Sequence, residues 1–451
     1  MGQIRTRCTT RCIVWQRDQK ATGAAALPAD VKAIVLLEPD RRSPEQIKQL
    51  LDYFVENVLS ASREIFDPLH KALADARKQV TDVRNTAATT MIFREKKELK
   101  PARILDRGEY DQPLEQVARA VPGILPPLPE GAPLNRLGFA RWLVDDGHPL
   151  TARVTVNRLW QQCFGIGLVK TAEDFGSQGE RPSHPELLDW LAVQFRKDGW
   201  DVKQTMKRIV MSATYRQSAA STRELRVRDP ENRLLSRDPR FRLDAEMLRD
   251  QALAVSGLLN TKMGGPPVKP PQPDGLWFAV GYSGSNTVRF KADAGSDKVH
   301  RRTLYTFLKR TAVAPQMIII DAPSREACTV RRERTNTPLQ ALLMLNDPQF
   351  VECARGLAER VMREGGKTTE SRVEMMFRLC TSRFPLKVET TEIVKAYADM
   401  HANFTERPEA AQRLSRIGAM PPDDSLDVTQ LASWTIIANL ILNLDEVLSK
   451  G

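Results

Sequence analysis

The chain is poor in the residues on which most metal and redox chemistry depends. It has five histidines in 451 residues, too few for a site built from several imidazoles. Its six cysteines, Cys8, Cys12, Cys163, Cys328, Cys353 and Cys380, are scattered along the whole length, which excludes the dense disulfide framework of a small stapled domain. Cys8 and Cys12 stand at C-x-x-x-C with Ile13 after them. The C-x-x-C-H attachment of a c-type haem is therefore absent, and no His lies nearby to complete a zinc set. No cofactor and no metal is expected. Long apolar runs are also missing. The best, residues 431–444, is interrupted by Ser433, Thr435, Asn439 and Asn443 and reads as a buried helix, so no membrane span is expected. Arg5, Arg7 and Arg11 occur near the N-terminus without an apolar h-region or small-residue cleavage site, and no signal peptide is visible. No Walker loop, G-x-S-x-G elbow or H-E-x-x-H occurs. Gly165-Ile166-Gly167 lacks the further glycine of a dinucleotide loop and follows a helix.

What is present suits a folded chain. Hydrophobic residues make up 41%, enough to bury a sizeable core in two or three domains. Lys and Arg number 67 against 56 Asp and Glu, a net charge of +11, which favours nucleic acid, anionic glycan or a membrane surface without choosing among them. The patterning predicts a mainly α protein: a multi-helix domain with a few short β-strands and an N-terminal helical hairpin. Residues 1–26 have no periodicity and are expected to be disordered. Residues 27–88 form the hairpin region. There Ser43-Pro44-Glu45 is a helix start ahead of Ile47, Leu50, Leu51, Phe54, Val55 and Val58. Asp67-Pro68 is a second start, after which Leu69, Leu73, Ala76, Val80 and Val83 keep the three-four alternation of a helix packed along a neighbour. Residues 43–85 thus read as an antiparallel pair. Residues 89–134 read as a short β-hairpin, from 89–93 and 102–105, followed by a Pro-rich connector at 121–129.

Residues 135–451 read as one helical domain. Helices are expected at 136–144 and 151–164, and after Ser183-His184-Pro185-Glu186, which has the form of a capping box. Further ones follow Asp201 and Asp244, the latter closed by Gly257. A long Pro/Gly segment occupies 263–297. Short strands are expected at 303–308 and 317–320, then helices after Thr337-Pro338 and Asp347-Pro348 and at 370–382, 390–404 and 427–448.

Several strings here are long. They include HPLTARVTVNRLWQQCFGIGLV from His148, EDFGSQGERPSHPELLDWLA from Glu173, IVMSATYRQS from Ile209, DPENRLLSRDPRFRLDAEMLRDQALAVSGLL from Asp229 and VRRERTNTPLQALLMLNDPQFVECARGLAERV from Val330. With them the chain resembles the planctomycete domain of unknown function 1553 (DUF1553) family from about Leu27 onward. The resemblance implies an extracytoplasmic protein linked to polysaccharide use, working beside a partner that carries a DUF1549 domain or a cytochrome c module. Neither module is recognisable in this chain. It also has Phe377-Arg378 and Ser382-Arg383-Phe384-Pro385 where the family usually shows Tyr-Arg and then Gly-Arg-x-Pro.

Three constellations are candidates for function. Arg331, Arg332 and Arg334 precede Asn336, Thr337 and a helix start, where free N–H groups and the dipole already favour an anion. The structural alternative is pairing with Glu333 and other carboxylates. His184, Glu186 and Asp189 gather at one helix start and suit acid–base chemistry if burial raises a carboxyl. Alternatively Glu186 completes the capping box, His184 makes a polar cap contact and Asp189 pairs with an arginine. Asn157, Arg158, Trp160, Asp174, Tyr215 and Arg216 combine polar heads with aromatic faces as a carbohydrate or peptide cleft would, or else form a buried polar network. The readings are accordingly a binding or scaffold component recognising anionic polysaccharide, a hydrolase acting on glycans, and a basic nucleic-acid-binding protein. The last lacks any reading motif. Whether the chain is an enzyme stays open, and each reading depends on whether the strings near 157, 184 and 332 meet around one concavity.

Overall fold

Side-chain caps and left-handed glycines mark several helix boundaries, and the helices divide between two units. The structure, a computed structural model, describes residues 2–87, 89–96, 98, 100–280 and 289–451, in units 1–101 and 102–451. It is 53% helical and 4% strand, the mainly α class that the sequence predicts. Among the described residues no helix is long and apolar enough to cross a membrane.

The first unit contains α1 (Gly2–Ala21), α2 (Ala29–Leu36), α3 (Pro44–Asn57) and α4 (Arg63–Thr86). Ser43 caps α3 with a complete capping box: its hydroxyl accepts from the Gln46 amide, and the Gln46 side chain accepts from the Ser43 amide. Helix α1 corrects the expectation of disorder over 1–26. Cys12 and Ala24 are buried, and Trp15 stacks on Tyr53 with ring centres 5.9 Å apart. Over 10–21 the covered positions recur at helical spacing, Cys12, Trp15, Gln16, Gln19 and Lys20, but three of them are polar, so no hydrophobic periodicity announces the helix. Helix α4 starts at Arg63 rather than after Pro68, which lies within it. The proline removes one hydrogen bond early in the helix without ending it. Residues 89–93, expected as a strand, have no strand geometry, and Met91, Ile92 and Phe93 are exposed.

In the second unit β1 (Ala102–Leu105) pairs antiparallel with β2 (Pro113–Val117). The turn that makes a hairpin therefore follows β1, at Asp106–Gly108 with Gly108 at φ +84°, and the hairpin does not include residues 89–93. Helix α5 (Arg136–Leu143) is capped by Asn135. One apolar core lies among α6 (Thr151–Phe164), α7 (Pro185–Lys197) and α8 (Val202–Val210), around Val156, Trp160, Leu191, Phe195 and Ile209. The expected capping box of Ser183 and Glu186 is not formed. With Pro185 at the first helical position, the residue before it must be extended, and His184 at φ −137° becomes the N-cap.

After the short α9 (Arg223–Arg228) and β3 (Phe241–Arg242), α10 (Ala245–Val255) opens the second core. Of the expected 263–297 loop, residues 281–288 lie outside the described residues, and the described part holds α11 (Leu276–Val280) and the start of α12 (Ser296–Val299). The strand expected at 303–308 is reduced to one parallel bridge, Thr306 opposite Val268, and the strand expected at 317–320 is not formed. Thr303–Tyr305 is a 3-10 turn, and Pro315 at the first position starts α13 (Pro315–Ile319). The core itself is built by α10, α14 (Pro338–Asn346), α15 (Pro348–Glu364), α16 (Thr369–Thr381) and α19 (Val428–Leu442), with one side of α17 (Lys387–Glu406) against it. Helices α18 (Pro408–Ser415) and α20 (Asp445–Leu448) precede and follow α19. Finally β4 (Ser449–Lys450) pairs antiparallel with β3, Lys450 opposite Phe241. That pairing delivers Lys450 to the end of α6.

Candidate functional site

Helix α6 ends at Phe164, and Gly165 turns the chain away at φ +78°. A Cβ at Gly165 would stand 2.9 Å from the Phe241 ring, so glycine is what lets β3 approach. Phe164 stacks on Trp160 with centres 4.1 Å apart and meets Tyr215 edge-on at 5.8 Å. Above these rings Lys450 Nζ donates to both Asp238 carboxylate oxygens, at 2.7 and 2.8 Å, and lies 4.1 Å from the Tyr215 ring centre. Burial pushes the Asp238 carboxyl up, and the Lys450 contact only partly opposes it. Burial likewise pushes the Tyr215 hydroxyl up, with Cys163 and Asp238 adding to the effect.

Beside this floor opens a cleft of about 720 Å³, lined by Gly165, the 219–221 backbone and the arginines 226, 237, 240 and 334. Three of its charges are neutralised, Asp238 among them by Lys450. Arg240 pairs with Asp445, and Glu231 pairs with Lys170 at 2.8 Å. Arg226 and Arg237 form no ion pair among the described residues. Arg226 Nη2 donates to the Ser221 carbonyl at 3.2 Å, and Arg237 Nη2 to the Asp229 and Pro230 carbonyls at 2.9 and 3.1 Å. Arg237 Nη1 has no acceptor. The Arg334 guanidinium lies 4.4 Å from the Phe241 ring centre, reaches Asp244 and the Gly165 carbonyl only at 3.5 Å, and leaves Nε without an acceptor. Guanidinium groups with unused donors are suited to carboxylate, sulfate or phosphate oxygens.

The structure brings some of the candidate residues to this cleft and leaves others elsewhere. Trp160 and Tyr215 back its floor. Asn157 is buried beneath it, donating to the Val169 carbonyl at 3.0 Å and accepting from the Val169 amide at 2.9 Å, which fixes the turn after α6. Asp174 holds a local turn by accepting from the Gly176 amide, and Arg158 and Arg216 are exposed outside the lining. His184 Nδ1 lies 3.0 Å from the Ser183 hydroxyl, and Glu186 is exposed. Asp189 accepts from Arg153 Nε at 2.6 Å, and that bond holds its carboxyl below the ordinary value.

Of the arginine group, only Arg334 lines the cleft. Arg331 pairs with Glu173, and Arg332 with Glu246 at 2.5 Å and Asp244 at 3.7 Å. Burial pushes up on the Glu246 carboxyl, but the Arg332 hydrogen bond and the Arg332 and Arg325 charges outweigh it and hold it below its ordinary value. Asn336 accepts from Arg242 at 3.3 Å, and Thr337 caps α14 through a box with Gln340. The carboxylates come from the start of α10 and from residue 173, not from the adjacent Glu333.

The model of one protein family, described as PSD1, Protein of unknown function (DUF1553), matches residues 135–397, more than half of the chain. The chain belongs to the DUF1553 family. No curated protein and no solved structure matches it. The DUF1553 match contains every wall of the cleft, while Lys450 and Asp445 lie beyond it. Sequence reading missed Arg226, Arg237, Asp238, Phe241 and Lys450. The one available signal was the run Arg237-Asp238-Pro239-Arg240-Phe241-Arg242, whose proline and dense charge suit neither a helix nor a buried strand.

Proposed function

We propose that this DUF1553 protein is a binding protein that holds an anionic oligosaccharide in the cleft beside α6. The observation that carries this reading is the cleft's charge. Arg226, Arg237 and Arg334 line one concavity, Arg226 and Arg237 without an ion pair among the described residues and Arg334 with Asp244 only at 3.5 Å, and its volume of about 720 Å³ falls in the range that holds a drug-sized ligand. Phe164 is stacked on Trp160, and Phe241 lies under Arg334, which leaves little free aromatic surface for a nucleobase. Recognition through charge and hydrogen bonds suits a sugar acid or sulfate ester better. A hydrolytic reading would need a raised carboxyl free to exchange protons with a substrate. Asp238 is raised, but both its oxygens are bonded to Lys450, so it anchors a cation instead. In this reading the protein works outside the cytoplasm beside a DUF1549-containing or cytochrome c-bearing partner, the setting that the family resemblance implies.

Calorimetric titration of the full chain with a sulfated, a uronic and a neutral tetrasaccharide tests the proposal. The charged sugars should bind and the neutral one should not, and Arg237→Ala or Arg334→Ala should each weaken binding roughly tenfold, the worth of a charge-assisted hydrogen bond. Equal binding of the neutral sugar, or indifference to both substitutions, would sink the reading. Displacement of the sugar by duplex DNA at equal charge would replace it with nucleic-acid binding.

A further inference from the structure

Helix α4 has 24 residues and buries none of them. From residue 71 to 87 every position is exposed, a free length of about 24 Å at 1.5 Å per residue. Helices in proteins owe most of their stability to packing an apolar face, and α4 has such a face without a cover. Phe66, Leu69, Leu73, Ala76, Val80, Val83 and Ala87 alternate in steps of three and four, three heptads of a coiled-coil seam. Leu69 is 58% exposed, Leu73 49%, Val80 52% and Val83 67%.

The flanks of the seam say what covers it. The positions following Phe66, Leu73 and Val80 by four residues are His70, Arg77 and Arg84. His70 is engaged by Glu56 at 2.6 Å, whereas Arg77 and Arg84 form no ion pair among the described residues. The positions just before Leu73, Val80 and Ala87 are Ala72, Gln79 and Thr86, all uncharged. A second copy of α4 is a poor occupant. Antiparallel, it would set arginine against arginine, and parallel, it would set arginine against these neutral residues. We infer that α4 is a docking helix whose seam pairs with a helix of another protein that is apolar in the same heptad rhythm and carries carboxylates along its flank.

The test uses the full chain and two synthetic peptides of about four heptads with Leu and Val at the seam, one flanked by Glu and one by Lys. The Glu peptide should bind with a gain in helicity, and the Lys peptide roughly tenfold more weakly or worse. Arg77→Glu with Arg84→Glu should reverse that preference. Leu73→Asp with Val80→Asp should abolish binding and leave the unfolding midpoint unchanged, because both side chains already face solvent. Failure of both peptides to bind would overturn the inference. So would a concentration-dependent dimer that the double Asp variant dissolves, since the occupant would then be a second copy. A lowered unfolding midpoint in that variant would also overturn it, by showing the seam already filled by this chain.

Discussion

Arginine does two different jobs in the second unit. Around α10 and α15 it is a strut. Arg249, Arg301 and Arg355 are at most 6% exposed, and each ties remote chain together. Arg249 donates to Gln349, to Thr303 and to the carbonyls of Arg301 and Val299. Arg301 gathers the carbonyls of Lys262, Gly264 and Pro266 and lies 3.8 Å from the Tyr305 ring centre. Arg355 binds Glu359 at 2.6 Å and the Met420 carbonyl at 2.5 Å. At the end of α6 the acceptors run out: Arg226 has one carbonyl, Arg237 two, and Arg334 only contacts at 3.5 Å. The charge is the same in both places, and the supply of acceptors separates a strut from a candidate ligand site.

The largest effect that tests this contrast is on stability. Arg355→Met should lower the unfolding free energy by about 3–5 kcal/mol, because it leaves buried Glu359 and the Met420 carbonyl without their partner. Arg237→Ala, which gives up only carbonyl bonds near the surface, should cost about 1 kcal/mol. Urea titrations of the two variants measure the difference. Comparable losses would mean that the cleft arginines are struts too.

How legible each region was follows from the same contrast. Local signals resolved well: Ser43, Asp201, Thr337 and Asp347 cap the helices that their sequence announces, and Gly199 and Gly257 take positive φ just after α7 and α10, where the sequence places their ends. These are decided within a few residues. The cleft is assembled from residues near 165, 220, 240 and 334 and backed by Lys450, so no window of sequence contains it. Arg332 shows the limit most clearly. Its carboxylate neighbours in sequence were candidates for pairing, but its partner Glu246 is 86 residues away. Helix α1 was hidden for another reason, since its covered positions include the polar Gln16, Gln19 and Lys20 and so leave no hydrophobic period.

A smaller effect concerns binding. Asp238 is pushed above the ordinary carboxylate range by burial, so on acidification it takes up its proton earlier than an exposed aspartate. Lys450 then loses its counter-charge beside the cleft. Affinity for a sulfated tetrasaccharide, whose own charge does not titrate there, should rise as the pH falls from neutral. Asp238→Asn should bind more tightly at neutral pH and show no such rise. Falling affinity in the wild type would mean that the Lys450 charge does not reach the ligand.

The smallest effect lies at the outer end of the strut network, where Arg355 leads through Glu359 to Arg363 and Asp423. The Asp423 carboxyl is pulled down from 3.8 to about 2 by the Ser425 hydroxyl, by Arg363 and by the Ser425 amide. A carboxyl lowered by folding adds stability that is complete above its unfolded value and is lost as the pH drops through its folded one. Asp423 should therefore contribute to the acid limb of the stability curve between 3.8 and about 2. Asp423→Asn should flatten that stretch relative to wild type and leave the curve unchanged in shape near neutrality. Asp423 is half-buried but its partner Arg363 is exposed, and salt should erode the difference, whereas the loss caused by Arg355→Met should persist at high salt. If salt erases both losses equally, the buried and exposed ends of the network are not distinguished by access to water.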